Sequence, residues 1–217
     1  MAGTARTRPV FDAGFELVCF SFFQIEKEKN MCGRFDLDPR LPGIKRIVEW
    51  HDFKIKTGEV FPSDRALVLI ESNGQLAPEG MAWGFPQFNR KGVVFNARAE
   101  TALRKAFFRK ALLHNRVVVP TTGFYEWKAE PGMGKKVRYR FNEPGQSLTW
   151  LAGFYRVFSG EPRFTILTTD ANDGMSAYHD RMPVVLHENE CMDWLEGNRL
   201  DEYLTRVPPE LDAQRVG

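Results

Sequence analysis

The chain has 217 residues, 43% of them hydrophobic and 27% charged, with a net charge of +2, which supplies enough apolar material for one soluble domain with a sizeable core. So even a charge balance excludes a globally basic nucleic-acid binder, and any such surface must be a local cluster. The three cysteines, Cys19, Cys32 and Cys191, lie far apart, with no CxxC pair and no histidine at ligand spacing. That argues against a zinc site or a disulfide framework and for a reducing cytoplasmic setting.

Residues 1–30 read as an N-terminal extension to a domain over 31–217. Arg6 and Arg8 precede the apolar run Leu17-Val18-Cys19-Phe20-Ser21-Phe22-Phe23, an order that superficially suggests a signal peptide. Asp12 and Glu16 interrupt it, and Gln24-Ile25-Glu26-Lys27 offers no small-residue cleavage site. No stretch approaches the about 20 apolar residues that cross a bilayer. The extension is a mis-start, a removable leader, or an element that packs its phenylalanines on the domain.

From Cys32 onward the pattern mixes helix and strand. A helix is predicted over about 42–50 and strands over 66–70, 81–85 and 93–96. A long helix is predicted over 101–115, with Leu103, Ala106, Phe107, Leu112 and Leu113 inward and Arg104, Lys105, Arg109 and Lys110 on or beside a basic face. Strands follow at 116–120, 124–128, 136–141, 148–158, 164–169 and 182–186, and Pro131-Gly132-Met133-Gly134 makes the second and third of these a hairpin. A short helix near 189–196 and a polar tail complete the pattern. Many strands with few long helices predict an α+β domain: a curled, mostly antiparallel, barrel-like β-sheet with flanking helices.

Polar residues interrupt this pattern at four places. Met31-Cys32-Gly33-Arg34 puts a small cysteine directly after a potential start methionine, whose removal would leave a free α-amine and thiol on one residue. Such a pair condenses with an aldehyde: the amine forms an imine and the sulfur then closes a thiazolidine. The amine's reference pKa of about 7.7 to 8.0 leaves a neutral fraction near neutral pH, and a thiol at about 8.5 needs modest help. The plain alternative is a small buried cysteine in a loop. Asn96, in Phe95-Asn96-Ala97-Arg98-Ala99-Glu100, either caps the following helix or enters a site. Glu126, in Gly123-Phe124-Tyr125-Glu126-Trp127-Lys128, either faces outward or is desolvated and fit for proton transfer. His179, in Tyr178-His179-Asp180-Arg181-Met182-Pro183, is either structural or an acid/base group.

Taken together and in order, these four motifs resemble those of the SOS-response-associated peptidase (SRAP) family, over most of the chain from Cys32 to about Trp194. The resemblance implies binding of single-stranded DNA and covalent capture of abasic sites through a thiazolidine link from an N-terminal Cys32, by a monomer with no metal, no cofactor and no membrane partner. It also implies an abasic-site lyase activity, with the thiazolidine diverting the imine. Cys32 would be the nucleophile, Asn96 would orient the amine and sugar, Glu126 would move protons, and His179 would act as acid/base on the sugar. Arg34, Arg98 and Arg181 would hold phosphates. Trp83 would stack beside the lesion, Pro62 would match the family's proline near the strand, and Phe85, Phe88 and Trp127 could add apolar walls.

Three features depart from the family pattern. Cys32 is internal here, and an internal cysteine has no α-amine. Glu59 stands where relatives usually show an amide, which predicts weaker phosphate contacts nearby. The chain also ends soon after Pro208-Pro209-Glu210-Leu211, which suggests a trimmed sheet edge. A thiol autopeptidase that cleaves before Cys32 is the main rival reading, and a noncovalent reader of single-stranded or modified DNA is the other.

Overall fold

Alternating β-branched and aromatic residues set most of this chain as strand, and unbroken apolar runs such as Val117-Val118-Val119 mark strands covered on both faces. The computed structural model describes residues 32–50, 54–87 and 91–216, so the leader readings and Phe88 lie outside the described residues. In chain order the strands are β1 (Phe35–Leu37), β2 (Gly58–Val60), β3 (Arg65–Ser72), β4 (Gln75–Trp83), β5 (Phe85–Pro86), β6 (Val93–Val94), β7 (Asn96–Arg98) and β8 (Arg116–Thr121). They continue with β9 (Gly123–Lys128), β10 (Val137–Asn142), β11 (Thr149–Phe158), β12 (Glu161–Asp170), β13 (Arg181–Pro183), β14 (Val185–Leu186) and β15 (Asp212–Arg215). The helices are α1 (Pro42–Trp50), α2 (Ala99–Ala102), α3 (Ala106–His114), α4 (Asp173–Ser176), α5 (Cys191–Glu196) and α6 (Leu200–Thr205).

Five strands close on themselves: β3 pairs β4, β4 pairs β12, β12 pairs β11, β11 pairs β8 and β8 returns to β3. Only the β4–β12 seam of that ring is parallel. β7 also runs parallel beside β12, in register Asn96↔Ile166 and Arg98↔Thr168. A second, five-stranded sheet in the order β15-β10-β9-β1-β2 is antiparallel throughout. Its inward residues Phe35, Val60, Phe124 and Phe141 share one buried cluster with Val117, Val119, Leu151 and Ile166 of the ring. The opposite face of the ring carries Val118, Ala152, Phe154 and Leu167 against Phe108, Leu112, Trp194 and Leu204 of α3, α5 and α6. The architecture is therefore the expected single α+β domain on a mostly antiparallel, barrel-like sheet. No helix among the described residues is long and apolar enough to cross a membrane.

Two expectations require correction. The helix over 101–115 is broken: the Arg104 and Lys105 amides both return to Thr101 O at 3.0 and 3.1 Å and close α2, and the extended Lys105 then accepts the first bonds of α3. The break sets α3 so that Phe107 and Phe108 both pack on Phe85, with ring centroids 6.0 and 6.2 Å away. The C-terminus is also more than a polar tail. α6 buries Tyr203 and Leu204 beside Trp194, and β15 extends the second sheet by pairing with β10 from Tyr139↔Arg215 to Asn142↔Asp212.

Candidate functional site

Cys32 sits just ahead of β1 and is fully buried, in a cluster with Phe35, Trp83, Phe124 and Met182. Its φ of 44° is unusual for a residue with a side chain. The backbone N–H of Cys32 donates to Glu126 Oε1. Strand alternation explains why that carboxylate is there: β9 sends Phe124 and Glu126 inward while Tyr125 and Trp127 face out. Glu126 is only 4% exposed. Burial pushes its carboxyl up to about 7, against the pull of the Cys32 and Trp127 amides and of the Lys136 charge, while Asp180 pushes it further up. Burial, and then the Glu126 charge, pushes the Cys32 thiol well above its ordinary value, so sulfur rests as the thiol. The pair is thus a protonated nucleophile beside a carboxyl that exchanges protons near neutral pH, aimed at the Cys32 nitrogen.

The turn that carries His179 is pinned over the same sheet. Asn172 caps α4 by accepting the Met175 N–H at 2.9 Å, and the His179 N–H returns to Met175 O at 3.1 Å. Tyr178 packs edge-on against Tyr139 and Phe141 of β10, with ring centroids 4.7 and 5.0 Å away. Tyr139 is the register partner of Glu126. His179 Nδ1 has two neighbours, the Arg181 N–H at 3.0 Å and Asp180 Oδ1 at 2.8 Å. A neutral ring accepts from the amide, and a protonated ring donates to the carboxylate.

Asn96 is a strand residue and no helix cap: the residue flanking α2 is Arg98. It lies half-buried at the start of β7, directly after Phe95. A side chain at Gly33 would stand 3.8 Å from the Phe95 ring, so the Cys32-Gly33 segment runs beside the strand that carries Asn96 and Arg98. The structure therefore gathers Cys32 and Glu126 in direct contact, brings the His179 turn to the same sheet through Tyr178 and Asp180, and sets β7 alongside.

Other expected site residues have different placements. Trp83 is fully buried, its Nε1–H donates to Phe95 O at 2.9 Å, and its ring stacks on Phe164 at 8°. With no exposed face it is a core residue and cannot stack a base. Phe85 is likewise core, inside the Phe107, Phe108 and Phe154 cluster. Arg181 is committed to Glu100 at 2.7 and 3.0 Å, Asp170 at 2.5 Å and Thr168 O at 2.8 Å, which ties β13 to β12 and α2 and holds the His179 turn. Pro62 is half-exposed in the turn Phe61–Asp64, where Ser63 takes φ 80° and donates to Trp83 O. Arg34 lies between the rings of Phe61 and Trp127 and pairs with Glu59. Sequence reasoning missed Arg138, the second partner of Glu59 at 2.6 Å; the hairpin register Arg138↔Trp127 was the available signal. No group of three or more His, Cys, Asp or Glu placed to hold a metal occurs among the described residues.

The chain is similar over most of its length to known proteins. The family model described as SOS response associated peptidase (SRAP) matches residues 31–216. The Abasic site processing protein YoqW of Bacillus subtilis is 32% identical over 201 residues, covering 84% of this chain and 88% of that protein. The Abasic site processing protein YedK of Escherichia coli is 30% identical over 178 residues, covering 76% of this chain and 79% of that protein. A crystal structure of a protein from Bacteroides thetaiotaomicron superposes with a TM-score of 0.69 at 22% identity, over 86% of this chain and 92% of that one, and shows the same fold.

Proposed function

The chain belongs to the SOS response associated peptidase (SRAP) family, and from that premise we propose that it processes abasic sites in single-stranded DNA by covalent capture through Cys32. The observation that carries the reading is the hydrogen bond from the Cys32 nitrogen to Glu126. In a protein that begins at Cys32 this nitrogen is the α-amine. The amine adds to the C1′ aldehyde of the opened sugar, and loss of water gives an imine. The sulfur then adds to the imine carbon, its proton ends on nitrogen, and the thiazolidine closes. Glu126, buried and in contact with this nitrogen, relays protons in both steps. His179 exchanges a proton with the sugar, and Asn96 and Arg98 orient sugar and phosphate from β7. The uncyclised imine can instead drive β-elimination of the 3′ phosphate, which is the lyase branch. The protein acts as a cytoplasmic monomer with no cofactor.

Release of the leader would use the same residues, and the φ of 44° at Cys32 favours that second activity because strain there is relieved on cleavage. The Cys32 thiol passes its proton to the Glu126 carboxylate as the sulfur attacks the preceding carbonyl, the C–N bond breaks as the nitrogen takes that proton, and water hydrolyses the thioester to the leader's carboxylate and the free thiol. The test is a denaturing gel of protein started at Met31, of the 217-residue chain and of Cys32→Ala, each with a single-stranded oligonucleotide carrying one abasic site. A heat-stable shifted band with the first, none with Cys32→Ala, and a band with the full chain only after leader loss is the expected result. A noncovalent reader would give no band with any of them.

A further inference from the structure

The outer face of the second sheet carries a cluster that the chemistry above leaves unused. Glu59 on β2 accepts from Arg34 Nη1 at 3.0 Å and from Arg138 Nη1 at 2.6 Å. The Arg34 guanidinium lies 4.4 Å from the Phe61 ring centroid and 5.0 Å from that of Trp127, and Arg138 covers Tyr125 at 4.7 Å. The Arg34 carbonyl accepts the Tyr125 N–H at 3.0 Å. Arg34 therefore grips both neighbours of Glu126, one through the backbone and one through its side chain, while Cys32 is two residues before it. Alternation points Glu126 to the opposite face from this cluster, so the cluster cannot touch the reacting atoms.

We propose that Arg34 is a positioning residue: stapled between Phe61 and Trp127 and tethered by Glu59, it fixes the Cys32-Gly33 segment on β9 so that the Cys32 nitrogen meets the Glu126 carboxylate. Residues 32–34 have no regular structure of their own, and a chain terminus at Cys32 would otherwise fray. Arg34 is poorly placed to hold a phosphate. One edge that could bind it at two points includes Nη1, which is on Glu59, and the other includes Nε, which is buried and unpartnered and so closed to a ligand arriving from solvent. Glu59 is on this account the anchor of the staple, held from its other side by Arg138. Lysine cannot replace Arg34, because the planar ion that stacks on two rings is lost.

This inference rests on the covalent-capture reading, and one experiment separates the two. Protein beginning at Cys32 is compared with Arg34→Lys and Glu59→Gln in two assays. One is reversible binding to single-stranded DNA carrying a reduced abasic site, which has no aldehyde. The other is the single-turnover adduct rate at saturating abasic DNA, from pH 6 to 9. For Arg34→Lys the expected result is an affinity within about twofold of wild type and an adduct rate lower by on the order of tenfold or more. Glu59→Gln should fall between, and it carries the test if Arg34→Lys does not fold. The pH midpoint of the rate should move upward in both, because the contact from the Cys32 nitrogen is one of the influences holding Glu126 down. Weakened affinity with an unchanged saturated rate would make Arg34 a DNA contact and overturn the proposal. Absence of any adduct with wild type would overturn the capture reading and the proposal with it.

Discussion

Glu126→Gln isolates the electrostatic state of the site. A buried carboxyl raised from 4.5 to about 7, at about 1.4 kcal/mol per unit, destabilises the ionised folded state by about 3 kcal/mol. Because the folded pKa lies above the unfolded one, the unfolded chain releases this proton first as pH rises. The contribution of Glu126 to stability is therefore fully present below about pH 4.5 and is lost as pH climbs through about 7. Glutamine keeps the shape and one oxygen to accept the Cys32 N–H, and it does not titrate. Urea unfolding of both proteins between pH 4.5 and 8 should show wild type losing about 3 kcal/mol relative to Glu126→Gln across this window, with half of the change reached at about pH 6. Parallel stability curves would refute the reasoning, since they would mean that Glu126 is already ionised in the folded protein at low pH.

Three further outcomes follow from the placements of individual residues. Trp83→Phe should leave the affinity for single-stranded DNA unchanged in a polarisation assay, whereas Trp83→Ala should cost about 3 to 5 kcal/mol of stability, because the ring fills the core. Gly123→Ala should lower the urea midpoint by the equivalent of about 2 kcal/mol, because its new carbon would stand 2.9 Å from Phe141 O and 2.7 Å from Arg140 Nε. Arg98→Ala should weaken DNA binding regardless of base sequence and flatten the logarithmic salt slope by about 0.7, with the thermal midpoint retained; an unchanged slope would remove Arg98 from the strand path.

Much of the fold was legible because burial and period coincide. α1 follows the predicted Pro42 to Trp50, and the apolar run of β3 and the two long strands β11 and β12 stand out as unbroken or alternating. Features fixed by hydrogen bonds without a hydrophobic signature stayed hidden. All four residues of β15 are exposed, so only the bonds to β10 define it, and the break before α3 is made by two amides sharing Thr101 O. At the site, the motifs singled out Cys32 and Glu126, and the structure puts the two in contact. Trp83 was not legible, since an aromatic beside glycine reads alike as wedge or core. The Arg34–Glu59–Arg138 network depends on β2 pairing with β1 and β10 with β9, which spans residues 79 apart and has no local pattern.

Intact mass spectrometry of the protein beginning at Cys32, after incubation with a single-stranded abasic oligonucleotide and no reducing agent, addresses covalent capture most directly. The account predicts one species at the sum of the two masses minus one water, stable to heat and missing with Cys32→Ala. Unmodified protein beside β-eliminated DNA, or an adduct that survives only after borohydride reduction, would contradict ring closure at Cys32.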